Sequence, residues 1–212
     1  MTDATGANAA FDLRSDVFRN GRPDRDRFDA TAGHLLIEGG DGLAGCARLT
    51  VQEAAGILTG YTAQHYDLRA FAKVFPKAVE VGRICLRPGL RDPEVPRLML
   101  AVLARQVEAA GAMTLYGCSS FPMAAGASAR LRDRVAPADW MPGRKAPETQ
   151  PLIGTAEALP PLLRSYLSLG ARVSDHAVVD RELGTVHVFT ALPIAAIPPR
   201  RAQLLSGLLD AV

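Results

Sequence analysis

This chain of 212 residues is poor in cysteine, poor in aromatics and free of long apolar runs. Its three cysteines, Cys46, Cys85 and Cys118, each sit inside an apolar stretch, and none belongs to a Cys-x-x-Cys pair. An odd count without paired spacing excludes a disulfide framework and a zinc ribbon, so a reducing cytoplasm is the expected compartment. No window approaches the roughly eighteen apolar residues that a membrane-spanning helix needs. Met1–Ala10 has neither a basic stretch nor an apolar centre and does not read as a signal peptide. The net charge is only +2, and no basic stripe is interleaved with aromatics, which argues against nucleic acid as a partner. His34, His65, His176 and His187 lack metal-ligand spacing, and no metal is expected. A Gly-x-Ser-x-Gly elbow, a dinucleotide fingerprint and a P-loop are all missing, which leaves no signal for a serine hydrolase or a nucleotide cofactor.

What is present is an ordinary globular composition, 48% apolar and 22% charged, enough for one domain with a sizeable core. Residues 1–10 show no pattern and are expected to be disordered. Phe11–Asn20 fits a short amphipathic helix, and the charged run Asp24–Arg27 reads as a solvated loop. Strands are predicted at His34–Glu38 and Ala44–Val51, joined by the turn Gly39-Gly40-Asp41-Gly42. A short helix is predicted around Asp67–Ala72, then a strand through Glu80. Pro96 marks the start of a helix over Arg97–Ala110 that stops at Gly111. Met113–Ser119 reads as a buried strand, Ala124–Arg134 as a helix and Pro137–Pro151 as loop. Leu159–Leu169 reads as a helix opened by two prolines, and two strands follow, Arg172–Val179 and Thr185–Leu192. The expected fold is α/β, a mixed central sheet with flanking helices, over residues 11–197. In the tail, 198–212, Leu204, Leu205, Leu208 and Leu209 recur at helical spacing behind Arg200 and Arg201. That pattern suits either packing on the domain or a peripheral membrane contact.

Charged residues in apolar settings carry the chemical signal. In Ala78-Val79-Glu80-Val81-Gly82-Arg83-Ile84-Cys85-Leu86 a carboxylate and a guanidinium sit three residues apart on a core strand. Bare charges there are costly, so they must be paired or used. Glu80 reads either as a partner of Arg83 or Arg48, or as a general base with its pKa lifted by apolar neighbours. Residues 80 and 83 have opposite parity, so a regular strand points them to opposite faces. A bulge at Gly82 would change that and free a backbone N–H for an oxyanion. Arg14, Asp29 and Arg48 lie in similar settings, though each alone suits a solvated helix position, a loop cap or a packed stem. His187, on a strand, reads as a satisfied structural residue.

Six ordered blocks resemble one family. They are Arg27-Phe28-Asp29-Ala30 with His34–Ile37, Gly45–Leu49, the Glu80–Arg83 strand, Leu115–Pro122, Leu159–Ala171 and Val186–Pro193. Together they resemble the N-acyltransferases that make ornithine lipids, which are similar to acyl-homoserine-lactone synthases and to the Gcn5-related N-acetyltransferase (GNAT) fold. The resemblance implies a GNAT-like sheet and a donor that is an acyl carrier protein thioester, with no further cofactor. The acceptor it implies is the α-amine of an amino acid, ornithine or glutamine. It implies Glu80, Arg83, Asp29 and Arg48 as the catalytic set, with Glu80 the base and the arginines holding the acceptor carboxylate. Arg14, Phe18, Cys118, Ser119 and Ser120 are the implied substrate-binding residues.

Two departures stand out. The coenzyme-A loop pattern of GNAT enzymes is replaced by Arg87-Pro88-Gly89-Leu90-Arg91-Asp92-Pro93-Glu94-Val95-Pro96, and Arg87, Arg91 and Arg97 suit equally an acidic carrier protein or a solvated basic rim. The tryptophan that autoinducer synthases carry between the equivalents of Phe18 and Asp29 is absent, and the only tryptophan is Trp140.

Overall fold

A computed structural model describes residues 4–155 and 159–209. Helix α1 (Ala4–Arg19) leads into a 3-10 turn (Arg27–Ala30) and the hairpin β1 (Gly33–Gly39) and β2 (Gly42–Glu53). Helix α2 (Ala54–Ile57), strand β3 (Tyr66–Asp67) and helix α3 (Arg69–Val74) precede strand β4 (Lys77–Leu86) and helix α4 (Glu94–Ala109). Then come β5 (Thr114–Pro122), a 3-10 turn (Ala129–Arg134), β6 (Gly143–Arg144) and β7 (Thr149–Pro151). Helix α5 (Pro161–Ser168), β8 (Arg172–Val173), β9 (His176–Asp180), β10 (Thr185–Pro193) and α6 (Pro199–Leu209) complete the chain.

The strands form an eight-stranded sheet in the order β1-β2-β4-β5-β10-β9-β7, with β8 also on β10. All its pairings are antiparallel except β4 with β5. Apolar residues alternate along these strands, so each face has its own core. On one face Leu35, Val79, Val81, Leu115 and Val188 pack under Met99, Leu103, Leu163 and Leu167 of α4 and α5. The other face buries Tyr116, Phe189 and Ala191 against Phe71, Phe75 and Trp140. Nearer β1 that face holds Cys46 and Cys85 beneath Ala10 and Leu13 of α1.

Several expectations are corrected. Residues 4–10 are the first turns of α1, not disordered: the segment is rich in alanine, the best helix former, and Ala10 is fully buried. Met1–Asp3 lie outside the described residues. The helix expected over Ala124–Arg134 is a turn and a short 3-10 segment, because Gly126 adopts φ +65° and Ser128 caps Arg130 N–H. The strand expected over Arg172–Val179 is broken at Ser174, whose hydroxyl donates to His176 O and accepts Phe189 N–H. Pro137–Pro151 is not all loop, since β6 pairs with β3 and β7 with β9. Helix α4 begins at Glu94, with Pro96 in its first turn, where a missing N–H costs nothing. Helix α6 packs Leu205 against the core and leaves Leu204 70% exposed, while Asp210–Val212 lie outside the described residues. No described helix is long and apolar enough to cross a membrane.

Candidate active site

Strands β4 and β5 run side by side only from Ala78–Val81 against Thr114–Gly117, and beyond that register they diverge. At the point of divergence a Cβ on Gly117 would stand 2.1 Å from Val81 O, so only glycine permits this close approach. On its other side β4 bulges: Cys46 pairs with Cys85 and Arg48 with Gly82, leaving Arg83 and Ile84 opposite Ala47 alone. The bulge sits at Arg83, with φ +50°, and not at the flexible Gly82. A left-handed arginine is strained by about 1 kcal/mol or more, a cost met mainly at functional positions. It reverses the strand's alternation, so the Arg83 guanidinium reaches the face carrying Arg48. Both guanidiniums bond Asp26 and lie over the Tyr61 ring, at 5.1 and 5.3 Å from its centroid.

An ion-pair network fills that face. Arg14, fully buried, donates from Nε to Asp24 at 2.9 Å and from both terminal nitrogens to Asp29 at 2.7 and 3.0 Å. Arg48 Nη1 donates to Asp26 at 2.6 Å and Asp29 at 3.1 Å. Arg83 Nε donates to Asp24 at 3.0 Å. Asp26 also accepts Phe28 N–H while Asp29 accepts Asp26 N–H, which closes a capping box on the 3-10 turn. Burial pushes the Asp29 carboxyl up, but hydrogen bonds from Arg14 and Asp26 N–H and the charges of Arg14 and Arg48 hold it down at about 2. For Asp24 burial is likewise outweighed by Arg83, Arg14 and Arg19, which keep the carboxyl below its usual range. The network thus unites four residues expected from the sequence, Arg14, Asp29, Arg48 and Arg83. It adds Asp24 and Asp26, so the run read as a solvated loop contains a carboxylate only 2% exposed.

A cavity of about 290 Å³ occupies the gap between the diverging strands. Leu115, Leu162, Leu163, Tyr166 and Leu192 give it an apolar end beside α5. Its other end, on the face of the ion-pair network, carries Tyr61, Arg83, Cys118, Ser120, Asp180 and His187. Phe18 and Leu183 also line it, and Arg19 ties the end of α1 to Glu182 of the β9–β10 hairpin at 2.8 Å. Phe18, Cys118, Ser119 and Ser120, expected from the sequence to bind substrate, all line this cavity, with Ser119 held by Thr190 at 2.9 Å. Burial and the Glu80 charge push the Cys118 thiol up to about 12, which makes it a poor nucleophile.

Glu80 is not on the cavity wall. Its carboxylate lies behind Tyr61 and accepts Thr62 N–H at 2.6 Å, Tyr61 N–H at 3.2 Å and Gln52 Nε2 at 3.4 Å. A Cβ on Gly60 would sit 2.5 Å from its Oε2, so the loop over Glu80 turns on a glycine. Arg14, Asp29 and Arg48 stand behind the wall as well. Of the basic rim, Arg87 is tied to Asp41 O at 2.7 Å and Arg97 pairs with Glu94, both near the open end of β4.

His187 corrects an expectation. It is 2% exposed and lines the cavity, and its Nε2 has no hydrogen-bond partner among the described residues. The Tyr66 hydroxyl spends its one proton on His187 O at 2.8 Å, so the 3.3 Å contact with Nδ1 makes Nδ1 the protonated nitrogen. Nε2 is then a bare acceptor. Burial, helped by His65, drops the pKa to about 4, so the ring is neutral. The one clue in the sequence was a polar residue between Val186 and Val188.

Residues 12–101 match the model of the acetyltransferase (GNAT) domain. The L-ornithine N(alpha)-acyltransferase of Brucella abortus (strain 2308) is 32% identical over 203 residues, 84% of this chain and 72% of that protein. Its namesake from Rhizobium meliloti (strain 1021) is 30% identical over 207 residues, 84% of this chain and 69% of that protein. Among solved structures, FeeM, an N-acyl amino acid synthase from uncultured soil microbes, superposes with a TM-score of 0.56 at 12% identity, over 91% of this chain and 92% of its own. BjaI, a CoA-dependent acyl-homoserine lactone synthase, superposes with a TM-score of 0.57 at 12% identity, over 97% and 82%. At such identities the structural likeness speaks for the fold alone. The sequence likeness reaches further: the chain is an acyltransferase and belongs to the L-ornithine N(alpha)-acyltransferase family.

Proposed function

We propose that the protein moves a 3-hydroxyacyl chain from acyl carrier protein to the α-amine of ornithine, the first step in making an ornithine lipid. The observation that carries this reading is the cavity through the β4–β5 gap, apolar at one end and charged at the other. The apolar end suits an acyl chain and the charged end an amino acid, with the thioester in the gap between them. The curated relatives' names supply the acceptor.

In this mechanism Arg83 receives the acceptor carboxylate, and its ties to Asp24 and Asp26 fix the guanidinium plane before substrate arrives. Glu80 takes the amine's proton through an intervening water, since its carboxylate is turned onto the Tyr61 and Thr62 N–H groups and does not line the cavity. The neutral amine adds to the thioester carbon, forming the C–N bond and a tetrahedral oxyanion, whose collapse breaks the C–S bond as the amide nitrogen's extra proton passes to the sulfur. The carrier thiol departs, a good leaving group that needs little help. Backbone groups of β4 past Val81 have no β5 partner and are free to meet the oxyanion. Arg87, Arg91 and Arg97 form the carrier-docking rim.

The test combines the purified chain, acyl carrier protein loaded with a 3-hydroxyacyl group, and a panel of amino acids, with products read by mass spectrometry. An N-acylated ornithine supports the reading, and no acylated amino acid from any acceptor sinks it. A lactone formed from S-adenosylmethionine would favour an autoinducer synthase instead.

A further inference from the structure

We infer that Asp180 and His187 form a subsite for a second, side-chain ammonium of the acceptor and so select a cationic amino acid. The inference rests on the amino-acid acyltransferase reading above and assigns its acceptor specificity to two residues. Among the described residues the cavity lining carries one carboxylate, Asp180, and one guanidinium, Arg83. Asp180 closes β9 opposite Thr185 of β10, on the face that also carries His187. Its carboxylate acts electrostatically on Tyr61, His65, Cys118 and His187, which surround the polar end of the cavity.

Asp180 Oδ1 accepts Leu183 N–H at 2.9 Å, which holds the carboxylate at the base of the hairpin turn. No arginine or lysine within ion-pairing distance neutralises it among the described residues. Beside it stands His187 with an unpartnered Nε2 lone pair. A carboxylate and a bare imidazole nitrogen are both acceptors. A ligand group that satisfies them together must bring several N–H donors and a positive charge, which describes an ammonium. With Arg83 for the carboxylate, the charged end of the cavity presents one cationic and one anionic contact. A diamino acid can then anchor by its two ends and leave the α-amine for the thioester.

The experiment measures steady-state kinetics of the full chain with 3-hydroxyacyl carrier protein and either ornithine or its uncharged analogue norvaline. Asp180→Asn keeps the acceptor for Leu183 N–H and removes only the charge. The expected result is a loss of about 10- to 100-fold in kcat/KM for ornithine, falling in KM, with the ornithine-over-norvaline preference collapsing by the same factor. His187→Phe is expected to erode the same preference by about 3- to 10-fold. The KM for the carrier protein reports whether the variants are folded. An unchanged preference in Asp180→Asn overturns the inference while leaving the acyltransferase reading intact. So does an equal loss for both acceptors together with a raised carrier KM, which marks a purely structural role. If the wild-type chain acylates no amino acid, the reading itself fails, and this inference with it.

Discussion

Arg14 and Arg83 meet on a single atom: each donates its Nε–H to Oδ2 of Asp24, at 2.9 and 3.0 Å. Arg14 comes from α1 and Arg83 from the bulge in β4, so one loop carboxylate joins the first helix to the strained strand. Asp24→Asn leaves two buried guanidiniums short of their counter-charge, and a loss on the order of 3 kcal/mol is expected in chemical denaturation. Asp26 is 25% exposed on its side chain, and Asp26→Asn is expected to cost no more than about 1 kcal/mol. Equal losses from the two variants would show that the shared oxygen has no special weight.

Glu80 offers a sharper division between holding a loop and moving a proton. Glu80→Gln sets an amide against the Tyr61 and Thr62 N–H groups, so some stability is lost in either case. If the carboxylate also serves the amine, kcat falls about a hundredfold or more while the KM for the carrier protein is kept. A variant that merely melts earlier but keeps kcat would remove Glu80 from the chemistry.

The apolar end of the cavity makes a length prediction. Leu162→Trp adds volume beside α5, where the far end of an acyl chain is proposed to lie. Turnover of long-chain donors is expected to drop about tenfold or more, with short-chain donors spared. A uniform drop across chain lengths would place the acyl group elsewhere.

His187 and Asp29 are two of the groups that make the fold sensitive to acid. His187 titrates at about 4 when folded against an ordinary 6.5, so the unfolded chain binds the extra proton between those values. Its contribution, on the order of 2–3 kcal/mol, is present above about pH 6.5 and is lost as the pH falls toward 4. Asp29, held at about 2 against 3.8, contributes stability above its ordinary value that is lost as the pH falls through about 2. Burial holds His34, His65 and His176 low as well, so denaturation across pH should show a first decline that His187→Phe reduces and a second, more acidic one that it leaves alone.

Much of this was legible in the sequence, and the exceptions share a cause. The Gly39–Gly42 turn, the Glu80 strand and the proline-opened α5 announce themselves through local chemistry, and all three are where the pattern puts them. Arg14, Asp29, Arg48 and Arg83 stood out as charges in apolar company, and they converge. Asp24 did not, because its neighbours Arg25, Asp26 and Arg27 are charged too, and only folding decides which of them turns inward. Asp180 and His187 gave no signal as a pair, since their meeting depends on the β9–β10 register. The bulge was expected at Gly82 on conformational grounds. It falls on Arg83 because tertiary ion pairs hold the guanidinium there against the backbone's preference.

The sheet, finally, is joined across its middle by a short parallel seam, Ala78–Val81 against Thr114–Gly117. The strands on one side, β1, β2 and β4, come from residues 33–86, and those on the other from residues 114 onward, each set continuous in sequence. The molecule is thus built like a book, with the substrate cavity where the pages part and α4 running across the spine. Breathing motions should open this seam before either cover loosens. Amide protons along Ala78–Val81 and Thr114–Gly117 would then exchange with solvent sooner than those of β2 or β10, and occupancy of the cavity would slow them selectively.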